Sequence, residues 1–180
     1  MLVNNFYDFN YLEITILPDK ITSIDNVVDV NWNEKSFNET LLKFNNDKRY
    51  KPFEKKLEIS KHNDVYLIHN LSDNKFYVNR TNYIDHVYNS NYILVKYNKE
   101  NLPQTTFPST RKIDDNYYLN KITFKITNRI YINFELKKKI NEDNSETIYR
   151  RIYINFNNDK NDKIDNDNIN NLLTKCINYF

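Results

Sequence analysis

In Ile122-Thr123-Phe124-Lys125-Ile126-Thr127-Asn128-Arg129-Ile130-Tyr131-Ile132-Asn133-Phe134-Glu135-Leu136-Lys137, apolar side chains hold every even position except Asn128. The odd positions are polar or tyrosine, a period of two that belongs to a half-buried β-strand. The pattern returns in Ile148-Tyr149-Arg150-Arg151-Ile152-Tyr153-Ile154-Asn155-Phe156, and the hexapeptide Arg-Ile-Tyr-Ile-Asn-Phe stands in both stretches, at 129–134 and 151–156. A polar linker around Glu142-Asp143-Asn144 separates them and is short enough for a hairpin. The spacing thus predicts a long C-terminal hairpin of strands at about 122–137 and 147–157. With its turn centred near Glu142, Tyr131 faces Tyr153, Arg129 faces Asn155 and Asn133 faces Arg151.

Working outward, Ile169, Leu172, Leu173, Cys176, Ile177 and Phe180 form one apolar stripe at helical spacing, preceded by Asp165 and Asp167 as candidate N-caps. This predicts a C-terminal helix at about 167–179, laid on the even face of the hairpin. Ser36-Phe37-Asn38-Glu39 has the spacing of a capping box and predicts a short helix near 37–46. Tyr11-Leu12-Glu13-Ile14-Thr15-Ile16-Leu17 alternates as a strand, and a second strand is expected from about Val27 to Trp32. The runs 64–71 and 75–80 flank Ser72-Asp73-Asn74, a hairpin signature, and 92–97 is a further strand. Residues 101–116, with Pro103 and Pro108, read as the one long loop. The resulting expectation is an α+β fold, mainly an antiparallel β meander, in a single domain over 1–180 with a sub-boundary at 101–116 as the alternative.

Composition removes whole classes of function. The chain has no glycine and no alanine but 33 asparagines, a bias that follows A/T-rich codons. Without glycine there is no P-loop, dinucleotide fingerprint, nucleophile elbow or glycine-rich kinase loop. Every left-handed turn must instead be made by Asn or Asp. The 26 basic and 24 acidic side chains leave a net charge of +2, too balanced to announce nucleic acid. Cys176 is the one cysteine, so no internal disulfide forms, and it sits in the apolar stripe rather than beside a catalytic partner. His62, His69 and His86 lack metal-ligand spacing, and the acidic pairs Asp114-Asp115 and Glu142-Asp143 have no partner framework. No catalytic residue, cofactor site or metal site is assigned, and the reading leans away from an enzyme. No run of 18 apolar residues spans a membrane, and no signal peptide opens the sequence, so an intracellular (cytoplasmic) or virion location is expected.

One surface invites a test. The odd face of the hairpin carries Lys125, Arg129, Tyr131, Asn133, Arg151, Tyr153 and Asn155. Ordinary solvent exposure accounts for such residues on a strand face. The functional expectation is a non-catalytic binding or assembly protein of an AT-rich genome, taken as a viral virion component or accessory subunit with a protein partner or self-assembly. The alternative is a single-stranded nucleic-acid-binding module in which those tyrosines stack on bases and the cations hold phosphates. An enzyme without a recognisable motif stands third.

Overall fold

The computed structural model describes residues 2–3, 6, 8–18, 29–107, 115–158 and 165–180. Eight strands follow the chain: β1 (Tyr11–Ile16), β2 (Pro52–His62), β3 (Val65–Asn70), β4 (Lys75–Tyr88), β5 (Tyr92–Leu102), β6 (Asp115–Lys125), β7 (Ile130–Ile140) and β8 (Glu146–Asn157). All neighbours are antiparallel, and the order β1-β5-β4-β3-β2-β6-β7-β8 closes on itself through β1 and β8. The α+β meander expected from the sequence is therefore corrected: the described residues form a closed eight-stranded barrel with two short helices outside it. Closure leaves no sheet edge, because every strand finds two partners, some of them far off in sequence.

The long strand at 122–137 is two strands. Residues 126–129 turn the chain, with the Ile126 and Thr127 amides both donating to the Ile130 carbonyl at 2.9 and 3.1 Å. The break falls at Asn128, the one even position without an apolar side chain. The β7–β8 hairpin does form, but its register sets Tyr131 against Asn155, Asn133 against Tyr153 and Glu135 against Arg151. This is two residues from the expected pairing, an even shift that leaves each side chain on its own face.

The even face packs outward. Leu12 and Ile14, Leu94, Phe124, Ile130, Ile132 and Phe134, and Ile152, Ile154 and Phe156 are buried on the outer wall. They join one cluster with Phe6 and Phe9 before β1, with Phe37 and Phe44 of α1 (Glu34–Asn46), and with Leu173 and Cys176 of α2 (Asn166–Ile177). Burial pushes the Cys176 thiol up to about 11, so it behaves as a small apolar group. The early helix starts before its expected place because Asn33, not Ser36, is the N-cap, and its side chain accepts from the Ser36 amide at 2.9 Å. Asp165 caps α2 by accepting from the Asn168 amide. The strand expected from about Val27 lies partly outside the described residues, and 29–33 is irregular. Within the loop expected at 101–116, β5 runs on to Leu102, a single 3-10 turn spans Gln104–Thr106, and β6 begins at Asp115.

Asparagine takes over the work of glycine. Among the described residues, those with positive φ are Asn63 (54°), Asn74 (54°) and Asn144 (64°), each in a hairpin turn. Alanine keeps the Cβ that opposes this region but lacks the short amide that lets asparagine bond locally there, so Asn144→Ala is expected to lower stability by about 1 kcal/mol while Asn144→Gly, with no Cβ, does not. Urea denaturation of the two variants checks this.

Candidate functional site: a charged lumen

Closure turns the polar faces of the strands toward one another. The lumen is walled by Tyr11, Glu13 and Thr15 of β1, Tyr97 and Lys99 of β5, Lys55 of β2, and Tyr117 and Lys121 of β6. Asn133, Glu135, Lys137 and Lys139 of β7 complete it with Arg151, Tyr153 and Asn155 of β8. Every one is an odd position of a strand whose even positions face outward. Three contiguous cavities of about 560, 480 and 500 Å³ make up the space, within the usual range for a ligand site, and Lys99 lines all three.

Two lumen carboxylates converge on one guanidinium. Arg151 donates from Nη1 to Glu13 Oε1 at 2.7 Å and from Nη2 to Glu135 Oε1 at 3.2 Å. Tyr153 donates its hydroxyl to Glu135 Oε2 at 2.9 Å, and Arg151 lies over its ring at 4.3 Å. Burial pushes the Glu135 carboxyl up, but the Arg151 and Lys121 charges and the Tyr153 hydroxyl outweigh it and hold it below the usual carboxylate range. Asp115 at the start of β6 takes both Lys137 (3.2 Å) and Lys139 (2.6 Å). Arg150, at the rim, pairs with Glu34 of α1 at 3.1 Å.

Three lysines are left over. Among the described residues, no carboxylate lies within 4 Å of the ammonium of Lys55, Lys99 or Lys121, although all three line one cavity. Lys55 and Lys121 are direct cross-strand partners. Burial, joined by the charge of Lys55, pushes the Lys99 ammonium down. Burial lowers Lys121 to about 8, with Glu135 and Glu13 opposing and Arg151 and Lys99 adding to the shift. Among the described residues the three lysines thus bring like charge to one cavity, with Glu13 on its wall but no carboxylate within 4 Å of their ammonium groups. No group of three His, Cys, Asp or Glu side chains able to hold a metal converges among the described residues.

The residues expected on an exposed face thus have a different address. Tyr131, Asn133, Arg151, Tyr153 and Asn155 line the lumen. Asn133 is fully buried, accepting from the Thr123 hydroxyl at 2.9 Å and donating to Asn155 Oδ1 at 2.7 Å. Lys125 is exposed at the end of β6 opposite Tyr131, and Arg129 lies in the 126–129 turn, outside the ladder. Sequence reasoning missed Glu13, Lys55, Lys99, Lys121 and Glu135. A charge at Glu13 amid the apolar run of β1 was the available signal for an inward-facing ionic site.

The architecture is that of a tunnel: a closed barrel whose apolar packing lies outside and whose ionisable groups lie within. Solved structures with this fold include the fission yeast (S. pombe) Pct1 RNA triphosphatase, alone (TM-score 0.63, 9% identity, covering 83% of this chain and 72% of that one) and in complex with the Spt5 CTD (TM-score 0.60, 10% identity, 82% and 71%). At this identity the likeness is one of fold. No protein-family model matches the chain, and no curated protein matches it. No helix among the described residues is long and apolar enough to cross a membrane.

Proposed function

We propose that the barrel is a binding protein whose lumen takes a linear polyphosphate group, the kind of group carried at the end of a phosphorylated nucleotide or RNA. The observation that carries this reading is the convergence of Lys55, Lys99 and Lys121 on one cavity with no carboxylate among the described residues within ion-pair distance of the three ammonium groups. A polyphosphate supplies the missing negative charge along the tunnel, and charge-assisted hydrogen bonds to its oxygens are the strong kind. The fold shared with an RNA triphosphatase supports a phosphate-bearing ligand. Binding without hydrolysis is favoured because metal-assisted phosphoryl transfer needs carboxylates free for a cation. Here Glu13 and Glu135 are both engaged by Arg151.

Calorimetric titration with inorganic tripolyphosphate at pH 7 and low salt is expected to show binding that weakens with added salt. Lys121→Met is expected to weaken it at least tenfold, the scale of one lost charged hydrogen bond. Because Lys121 titrates near 8, its contribution is complete below that pH and is lost as the pH rises through it. Absence of binding at low salt, or a Lys121→Met protein that binds unchanged, overturns the proposal.

A further inference from the structure

The third cavity differs in chemistry from the two beside it. Its wall carries Tyr83, His86, Tyr88 and Tyr97 with Ile93 and Val95, while Lys99 and Arg151 line its boundary with the cationic space. Tyr97, Tyr83 and His86 form a chain of adjacent rings, tilted 54° and 45° to one another, that Tyr11 extends toward the lysine cavity. Tyr11 stacks on Tyr97 at 5.5 Å and 12°, Tyr97 lies 6.0 Å from Tyr83, and Tyr83 lies 5.5 Å from His86. Three of them are successive cross-strand neighbours, since Tyr11 and Tyr83 both pair with Tyr97.

A β-bulge sets the composition of this wall. The β4–β5 register slips between Tyr83 and Asp85, leaving Ile84 unpaired. Before the slip odd positions face the lumen, and after it even positions do, so His86 and Tyr88 line the cavity. Asp85 consequently points out and pairs with Lys96 at 3.5 Å. Without the bulge Asp85 would add a second carboxylate, beside Glu13, to this cavity. Bulges beside functional sites commonly re-aim a side chain in this way.

We infer that this aromatic cavity is a nucleobase subsite, so that the ligand of the lumen is a nucleotide whose phosphates lie among Lys55, Lys99 and Lys121 and whose unpaired base stacks on the tyrosine rings. The inference rests on the polyphosphate reading. The base is the occupant because the cavity opens into the cationic space through Lys99 and Arg151, and one molecule must satisfy both. Its volume of about 500 Å³ accepts a base with its sugar. Aromatic side chains beside a cationic track are how proteins hold unpaired nucleotides.

The test compares ATP with inorganic tripolyphosphate by calorimetry. ATP is expected to bind roughly tenfold more tightly, the effect of one stacked base. Tyr88→Leu, at a residue that lines the third cavity and neither of the other two, is expected to bring ATP to the level of tripolyphosphate without changing tripolyphosphate affinity, which also reports that the barrel is intact. Tyr83→Leu, at a ring 60% exposed, provides the same comparison with little risk to folding. Equal affinity for the two ligands in the parent protein, or a loss shared equally by both in the variants, overturns the subsite while leaving the polyphosphate tunnel standing. Failure of both ligands to bind overturns the tunnel and the subsite together.

Discussion

Phe44→Ala is expected to cost about 4 kcal/mol of stability, the range for a phenylalanine removed from a packed core. Phe44 lies 5.3 and 5.4 Å from Phe124 and Phe134 on the outer wall, 5.5 Å from Phe180 and 4.5 Å from Tyr179 beyond α2. One ring therefore holds α1, the β6–β7 hairpin and the C-terminus in register. Its loss opens a cavity that these rigid neighbours cannot close. The measurement is urea denaturation, with a lower midpoint at an unchanged slope. Leu42, on the same helix but 58% exposed, provides the control: Leu42→Ala is expected to change stability by less than about 1 kcal/mol.

Arg151→Met is expected to be the most damaging lumen substitution, at about 3 kcal/mol. That is the low end for a broken buried ion pair, because the side chain of Arg151 keeps 31% of its exposure within the lumen. The loss comes from stranding Glu13 and Glu135, whose side chains are 15% and 11% exposed. The pH dependence carries the diagnosis. In the parent protein Glu135 is held below its ordinary value, so its contribution to stability is present above the unfolded pKa and lost as pH falls through the folded one. In Arg151→Met, burial acts on Glu135 against Lys121 and Tyr153 alone, so its pKa rises from the parent's. The variant therefore loses less stability on acidification than the parent does over the same range. Denaturation midpoints from pH 7 to pH 4 should converge, and a constant gap would mean that Arg151 acts through packing alone.

The even faces of 122–137 and 148–156 were legible because alternation is a local property, and Ile130, Ile132, Phe134, Ile152 and Ile154 are core. So was the substitution of asparagine for glycine in the turns, which follows from sterics alone. The turn at Asn128 was written in the sequence as one broken alternation, too small a mark to divide a strand. Barrel closure was not legible, since the pairings β1 with β5, β1 with β8 and β2 with β6 join residues far apart along the chain. Without closure, a row such as Tyr131, Asn133, Glu135 has no second wall to face, and the period of two reads it as solvated. The ionic site depended on that missing wall: Glu13 and Arg151 stand 138 residues apart and meet only because β1 and β8 complete the ring.

The apolar packing of this barrel sits behind its wall, against the helices, and the interior is left to polar chemistry. Apolar packing and the ionisable groups of the lumen thereby fall on opposite sides of the same strands. A residue such as Thr81 or Tyr83 can be exchanged without disturbing a single buried phenylalanine, much as the lining of a vessel can be replaced while its hoops stay in place. Apart from the Arg151 and Asp115 clusters and the buried Asn133 network, the inner surface is free to change by ordinary point substitution, while the alternating side chains on the outer face keep the barrel closed.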